Sequence, residues 1–162
     1  MSVRDILKYP NFILRQVSKP ADPSSSETIQ VVNDLVDTLN AQTGVGVSAP
    51  QIGASLQIIV IDATRARRPV PNHGPLVLIN PEILSREGKI SFREGCMSVP
   101  DFVAHITRAS IIRVNALTPD GKSICFETEG FEAVIIQHEI DHLYGKLFID
   151  RVQTARDLKM RH

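Results

Sequence analysis

The chain has 162 residues, 43% hydrophobic and 22% charged, with 18 basic and 18 acidic side chains and a formal net charge of +0. That length buries a substantial core in one domain, expected over residues 1–162. The charge balance excludes the broad positive field of a general nucleic-acid binder. The longest apolar runs, Ile58-Ile59-Val60-Ile61 and Ala133-Val134-Ile135-Ile136, are too short to cross a membrane. No apolar signal core opens the chain, and Cys96 and Cys125 make no disulfide framework, so a cytosolic protein with reduced thiols is expected.

Pro10, Pro20 and Pro23 keep the opening segment irregular, with Ile6, Leu7, Phe12, Ile13 and Leu14 expected to pin it to the core. Ser24 and Glu27 have capping-box spacing, and a helix is predicted from there to Gln42. Its apolar stripe is Ile29, Val32, Leu35, Val36 and Leu39, and Gly44 stands where a left-handed C-cap would end it. Gly44-Val45-Gly46-Val47-Ser48-Ala49-Pro50-Gln51-Ile52-Gly53 matches no phosphate-loop pattern; by composition it is a helix-to-strand connection.

Strands are predicted at Leu56 to Asp62 and Leu76 to Asn80, joined by an arginine- and proline-rich loop read as a solvated face that includes His73. A short strand from Gly88 to Phe92 leads to Glu94-Gly95-Cys96-Met97-Ser98, where Cys96 is a candidate ligand, nucleophile or packed thiol. Strands at Ile111 to Leu117 and Ser123 to Thr128 flank the turn signal Thr118-Pro119-Asp120-Gly121, and Cys125 is expected to pack in the core. Beyond Asp150 one or two frayed turns are expected.

The chemistry concentrates in Gln137-His138-Glu139-Ile140-Asp141-His142, between Gly130 and Gly145. Histidines four apart share a helix face and can bind one metal ion, with the intervening glutamate as proton carrier. The preceding run Phe131, Val134, Ile135 and Ile136 carries this helix into an apolar interior, where two imidazoles need partners. Catalytic sites of this kind take a third protein ligand and keep one position open. Downstream, Phe148 stands where a third histidine would follow Gly145, and no glutamate follows Glu139. Asp150 looping back and Cys96 upstream both remain open; thiolate with two imidazoles suits zinc or ferrous iron.

Three stretches together, Gly44 to Gln51, Glu94 to Ser98 and Gln137 to Gly145, with Ile79-Asn80-Pro81-Glu82, resemble the peptide deformylases. These metallohydrolases remove the formyl group from N-formylmethionine at the start of new bacterial proteins. The resemblance spans nearly the whole chain. It implies an α+β fold, with mixed and antiparallel sheets packed around a central metal-binding helix. It also implies one divalent metal on Cys96, His138 and His142, typically Fe2+, with Zn2+, Ni2+ or Co2+ as alternatives. Glu139 would then move protons, while the Gln51 amide and the Met97 backbone N–H stabilise the developing oxyanion.

Further roles follow from the same resemblance. The backbone at Val45 and Gly46 would pair with the substrate, with Glu94 and Gly95 beside it. Val45, Phe92, Phe131, Val134, Ile135 and the His138 ring would form the methionine pocket. Glu94 and Gln137 would orient ligands, and Asp141 a ligand or an arginine. N-formylmethionyl peptides, presented as nascent chains at the ribosome in a bacterial cytoplasm, are the implied partners, with no direct nucleic-acid or membrane binding. Ser48, Met97 and Val103 depart from common alanine, leucine and arginine, the last near the peptide exit, and the tail after Asp150 is short for ribosome docking. The rival readings are a zinc endopeptidase, a metal-binding module without turnover, and a relative acting on another acylated amine.

Overall fold

A computed structural model describes residues 2–161. In chain order the elements are α1 (Ser26–Asn40), β1 (Gly46–Ser48), β2 (Ile58–Asp62), β3 (Pro75–Glu87), β4 (Ile90–Cys96), β5 (Val99–Arg108), β6 (Ile111–Leu117), β7 (Ser123–Glu129), α2 (Gly130–Leu143) and β8 (Leu158–Met160). The strands form a five-stranded sheet, ordered β1-β2-β3-β6-β7, and a three-stranded sheet, ordered β4-β5-β8. Every pairing between these strands is antiparallel, and the one parallel contact among the described residues is the isolated bridge from Lys19 to Leu56.

The two helices cover opposite faces of the larger sheet. Successive side chains of a strand point to opposite faces, and β2 divides its apolar run accordingly. Ile59 and Ile61 pack with Ile135, Ile136 and Ile140 of α2, whereas Ile58 and Val60 pack with Val32, Leu35 and Leu39 of α1. The helix α2 is buried from Glu132 to Ile140, as expected for a helix apolar on most of its circumference. The smaller sheet closes over a third cluster containing Cys96, Val99, Ile106, Leu147 and Phe148.

Several boundaries differ from the sequence reading for identifiable reasons. Ser25, not Ser24, caps α1 by accepting from the Thr28 N–H at 3.2 Å. Ile29 is half exposed and Val31 takes its place in the core. The end of α1 is closed from outside the helix: Arg65 donates to the carbonyls of Leu39 and Gln42 at 2.7 and 2.5 Å, so part of the supposedly solvated loop is a C-terminal cap. Gly44 is no cap; it lies against the Met97 side chain. The strand thought to end at Asn80 runs on to Glu87, because Pro81 falls in a register shift between Ile79 and Glu82, where a missing N–H costs no ladder bond.

Four further expectations are corrected. Phe12 is exposed, and the opening segment is anchored by Leu14, fully buried, with Ile6 packed against the core. Cys125 is exposed on β7. His73 is paired, its Nδ1 at 2.5 Å from Glu132, a fully buried carboxylate at the start of α2. After the short turn Ala155–Asp157, Leu158–Met160 adds a third strand to the smaller sheet where only frayed turns were expected. The turn at Thr118 to Gly121 forms as expected, with Gly121 at φ 84°.

Candidate active site

The site lies where the edge of the larger sheet, the smaller sheet and α2 converge. Cys96 ends β4, Gln51 lies in the 3₁₀ turn Ala49–Ile52 after β1, and His138, Glu139 and His142 project from α2. All five are buried. The donor atoms of Cys96, His138 and His142 lie within 4.8 Å of one another, and Cys96 Sγ is 3.4 Å from His142 Nε2. A cavity of about 260 Å³ opens onto them, with Val45, Gly46, Phe131, Val134 and Ile135 among its walls.

The ring of His138 is oriented from behind. Its Nδ1 pairs with Glu94 Oε1 at 2.9 Å, which leaves Nε2 to face the site. Glu94 is itself gripped by Arg108, with Nε to Oε2 at 2.6 Å and Nη2 to Oε1 at 3.0 Å. Arg108 also reaches Asp141 at 2.9 Å, and Arg151 holds the other side of that carboxylate at 2.8 Å. Burial pushes the Glu94 carboxyl up, but the bonds from His138 and Arg108 outweigh it and hold the group below its usual range.

The charges of the centre are matched to metal ligation. Burial alone would raise the Cys96 thiol; the neighbouring His142 and His138 reverse this and hold it well below the ordinary range, the direction that favours thiolate. Burial raises Glu139, opposed by His138 and His142, and the net shift is upward. Its buried Oε1 has no hydrogen-bond partner among the described residues. A carboxyl group raised in this way, with one oxygen unpartnered beside the cluster, suits proton transfer. One sulfur and two nitrogen donors, with residual positive charge on a divalent ion, form a set that can hold iron or zinc.

Gln51 is locked by its neighbours. Its Oε1 accepts from the Ser48 N–H at 2.9 Å and from the Ser48 hydroxyl at 3.0 Å. The NH₂ end therefore points inward, 3.1 Å from Ser98 Oγ and 3.6 Å from Cys96 Sγ. The serine at position 48 thus adds a second bond that fixes the amide.

Gly46 explains the glycine-rich stretch. A Cβ there would lie 2.9 Å from Glu139 Oε2 and 3.1 Å from both Glu139 Cγ and Ile135 Cγ2, so only glycine lets β1 approach α2 this closely. Gly46→Ala is expected to cost about 1–3 kcal/mol of stability through overpacking. It should also displace the Glu139 side chain, and denaturant unfolding would measure the stability lost.

Some expected residues are placed differently. Phe92 does not line the cavity; it packs behind Phe131 with ring centroids 5.4 Å apart. Glu94 lines the cavity, and both of its oxygens are bonded, by Arg108 and by His138. Gln137 bonds the backbone of Ala109 and Ala133 and so ties α2 to the β5–β6 corner; no ligand is among its partners. Met97 and Gly95 do line the cavity, as does Gly44 of the glycine-rich stretch, joined by Thr43, Arg93 and Arg161, which the sequence reading did not single out. Arg108 and Ser98 were also missed. Neither carries a motif, although an arginine in an otherwise half-buried strand is a signal for a buried carboxylate partner.

The downstream third ligand is excluded by packing. Phe148 is buried and stacked on His138 at 6.1 Å, and Asp150 is held by Arg15 and by the Leu147 N–H. A family model described as polypeptide deformylase matches residues 3–157. The chain belongs to the polypeptide deformylase family. The peptide deformylase of Baumannia cicadellinicola is 43% identical over 156 residues, covering 96% of this chain and 90% of that protein. A Legionella pneumophila peptide deformylase structure aligns at TM-score 0.85 with 39% identity, covering 94% of this chain and 87% of that one. An Acinetobacter baumannii peptide deformylase with Met-Ala-Ser bound aligns at TM-score 0.85 and 32% identity, covering 93% and 99%. The activity is that of a peptide deformylase, a metal-dependent hydrolase that takes the formyl group from formylated nascent peptides, and the endopeptidase reading is not favoured.

Proposed function

We propose that Cys96, His138 and His142 hold one divalent metal, ferrous iron in the cell, and that Glu139, Gln51 and the Met97 N–H carry out deformylation with it. The observation that carries this reading is the buried cluster of thiol and two imidazoles with the unpartnered Glu139 oxygen beside it. When bound, the ion would supply Lewis-acid polarisation and make water acidic enough to attack near neutral pH. Glu139 accepts the proton of that water and delivers it to the departing amine, so one water and one formamide become formate and a free amino terminus. Gln51 donates its inward N–H to the formyl oxygen as negative charge grows there. A fixed donor of this kind contributes about 3 kcal/mol in the transition state.

The substrate arrives as an extra strand. β1 is an edge strand of the five-stranded sheet, and the cavity lies beside Val45 and Gly46. An extended peptide can add its backbone there while its methionine side chain enters the apolar walls formed by Phe131, Val134 and Ile135. Met-Ala-Ser, bound to the Acinetobacter relative, is the peptide left when formyl-Met-Ala-Ser loses its formyl group, which supports this pose. On this reading residues 1–162 act as one domain on nascent chains at the ribosome in a bacterial cytoplasm.

The test is formate release from formyl-Met-Ala-Ser by protein loaded anaerobically with iron, nickel, cobalt or zinc. Turnover is expected in at least one form, highest with iron. Stoichiometric metal without formate from any form would overturn the proposal.

A further inference from the structure

The C-terminal strand brings a cation to the mouth of the cavity. β8 pairs with β5, with Val103 opposite Lys159, and the Arg161 N–H donates to Asp101 O at 2.8 Å. From that anchor the Arg161 side chain crosses the β4–β5 hairpin and lies on the backbone of Gly95. A Cβ at Gly95 would collide with the guanidinium and sit 3.5 Å from Val103 Cγ1. Gly95 thus makes room for a guanidinium where the hairpin borders the cavity, and Arg161 and Arg93 both line it.

Both arginines are exposed, and neither forms an ion pair or side-chain hydrogen bond with a described residue. The carboxylates lining the same cavity do not neutralise them. Glu94 is committed to Arg108 and His138, and Glu139 is buried at the floor. A protein of net charge +0 therefore presents an uncompensated positive rim at the entrance to its substrate site.

We propose that Arg161, with Arg93 beside it, is a specificity-determining residue that favours peptides carrying a carboxylate downstream of the formylated methionine. The inference rests on the deformylase reading above. Arg161 acts on the part of the peptide that leaves the site, so it changes capture and not the chemical step. The expected signature is a KM effect with kcat unchanged.

The experiment compares formyl-Met-Ala-Glu, formyl-Met-Glu-Ala and their lysine counterparts, all as C-terminal amides, on the iron-loaded wild type and on Arg161→Ala and Arg161→Glu. The wild type should favour each glutamate peptide over its lysine partner by about three- to fivefold in KM, the size of a single solvent-exposed ion pair. Arg161→Ala should abolish most of that preference, Arg161→Glu should reverse it, and high salt should suppress it in the wild type. A residue that merely held β8 in place would move all peptides together and lower the melting temperature. Equal KM values for glutamate and lysine peptides, or a preference that survives Arg161→Glu, would overturn the inference. Absence of formate from every peptide would instead count against the deformylase chemistry.

Discussion

Replacing Glu139 with glutamine is expected to reduce formate release by about 10²- to 10⁴-fold, the usual worth of a positioned acid–base group, while the protein keeps its metal. Glutamine preserves the volume of a side chain packed against Gly46, so the distance between β1 and α2 should not change. It cannot take a proton from water or return one to the leaving amine. Because burial raises the Glu139 carboxyl, removing its charge should leave stability unchanged or slightly higher. The measurement pairs formate release with metal analysis of the same preparation. Turnover near wild type, with metal bound, would remove Glu139 from the mechanism.

Arg108→Met should be the most destabilising change near the site. The guanidinium lies between Glu94 and Asp141 and is almost wholly buried with Glu94. Losing it strands a desolvated carboxylate against His138, an arrangement that costs about 3–5 kcal/mol. For a chain of this size that corresponds to a fall of roughly 6–20 °C in Tm. The effect should also reach the metal centre, since Glu94 would no longer be held where it orients His138; metal affinity should fall about 10- to 100-fold. Thermal unfolding and a competitive metal titration would measure the two consequences separately. A Tm within two degrees of wild type, taken as roughly the scatter expected of a surface substitution, would show that the network does not support the fold.

These two residues mark the difference between what the chain announces and what it conceals. Glu139 is visible because the role proposed for it follows from spacing: histidines at 138 and 142 fall on one helix face, and the glutamate is placed between them. Arg108 stands alone in a strand, and its partners are 14 and 33 residues away. No local pattern connects them. The same reason accounts for the misplaced end of α1, which depends on Arg65, and for His73, whose partner Glu132 is 59 residues distant.

Periodicity succeeded wherever an element's own neighbours decide its state. The strand from Ile111 to Leu117 and the tight turn before Ser123 form as read, because alternation and a glycine at positive φ are local requirements. It failed where another segment supplies the missing partner. Pro81 ends a strand by local logic, yet β3 continues because the bulge opposite β6 removes the need for its N–H. The tail after Asp150 is polar enough to fray alone, and becomes ordered because β5 offers an open edge.

Sequence alone pointed to the helix that carries His138 and His142, to the cysteine and glutamine stretches, and through them to the family. Those properties depend on residue identity at short spacing and on three motifs occurring in one order. Tertiary structure decided which groups hold His138 and Gln51 in place, why Gly46 must be glycine, that Phe92 packs behind Phe131, and that Arg161 returns to the cavity mouth. Each of these rests on contacts between segments far apart in the chain, whose geometry exists only after both sheets have packed against α2.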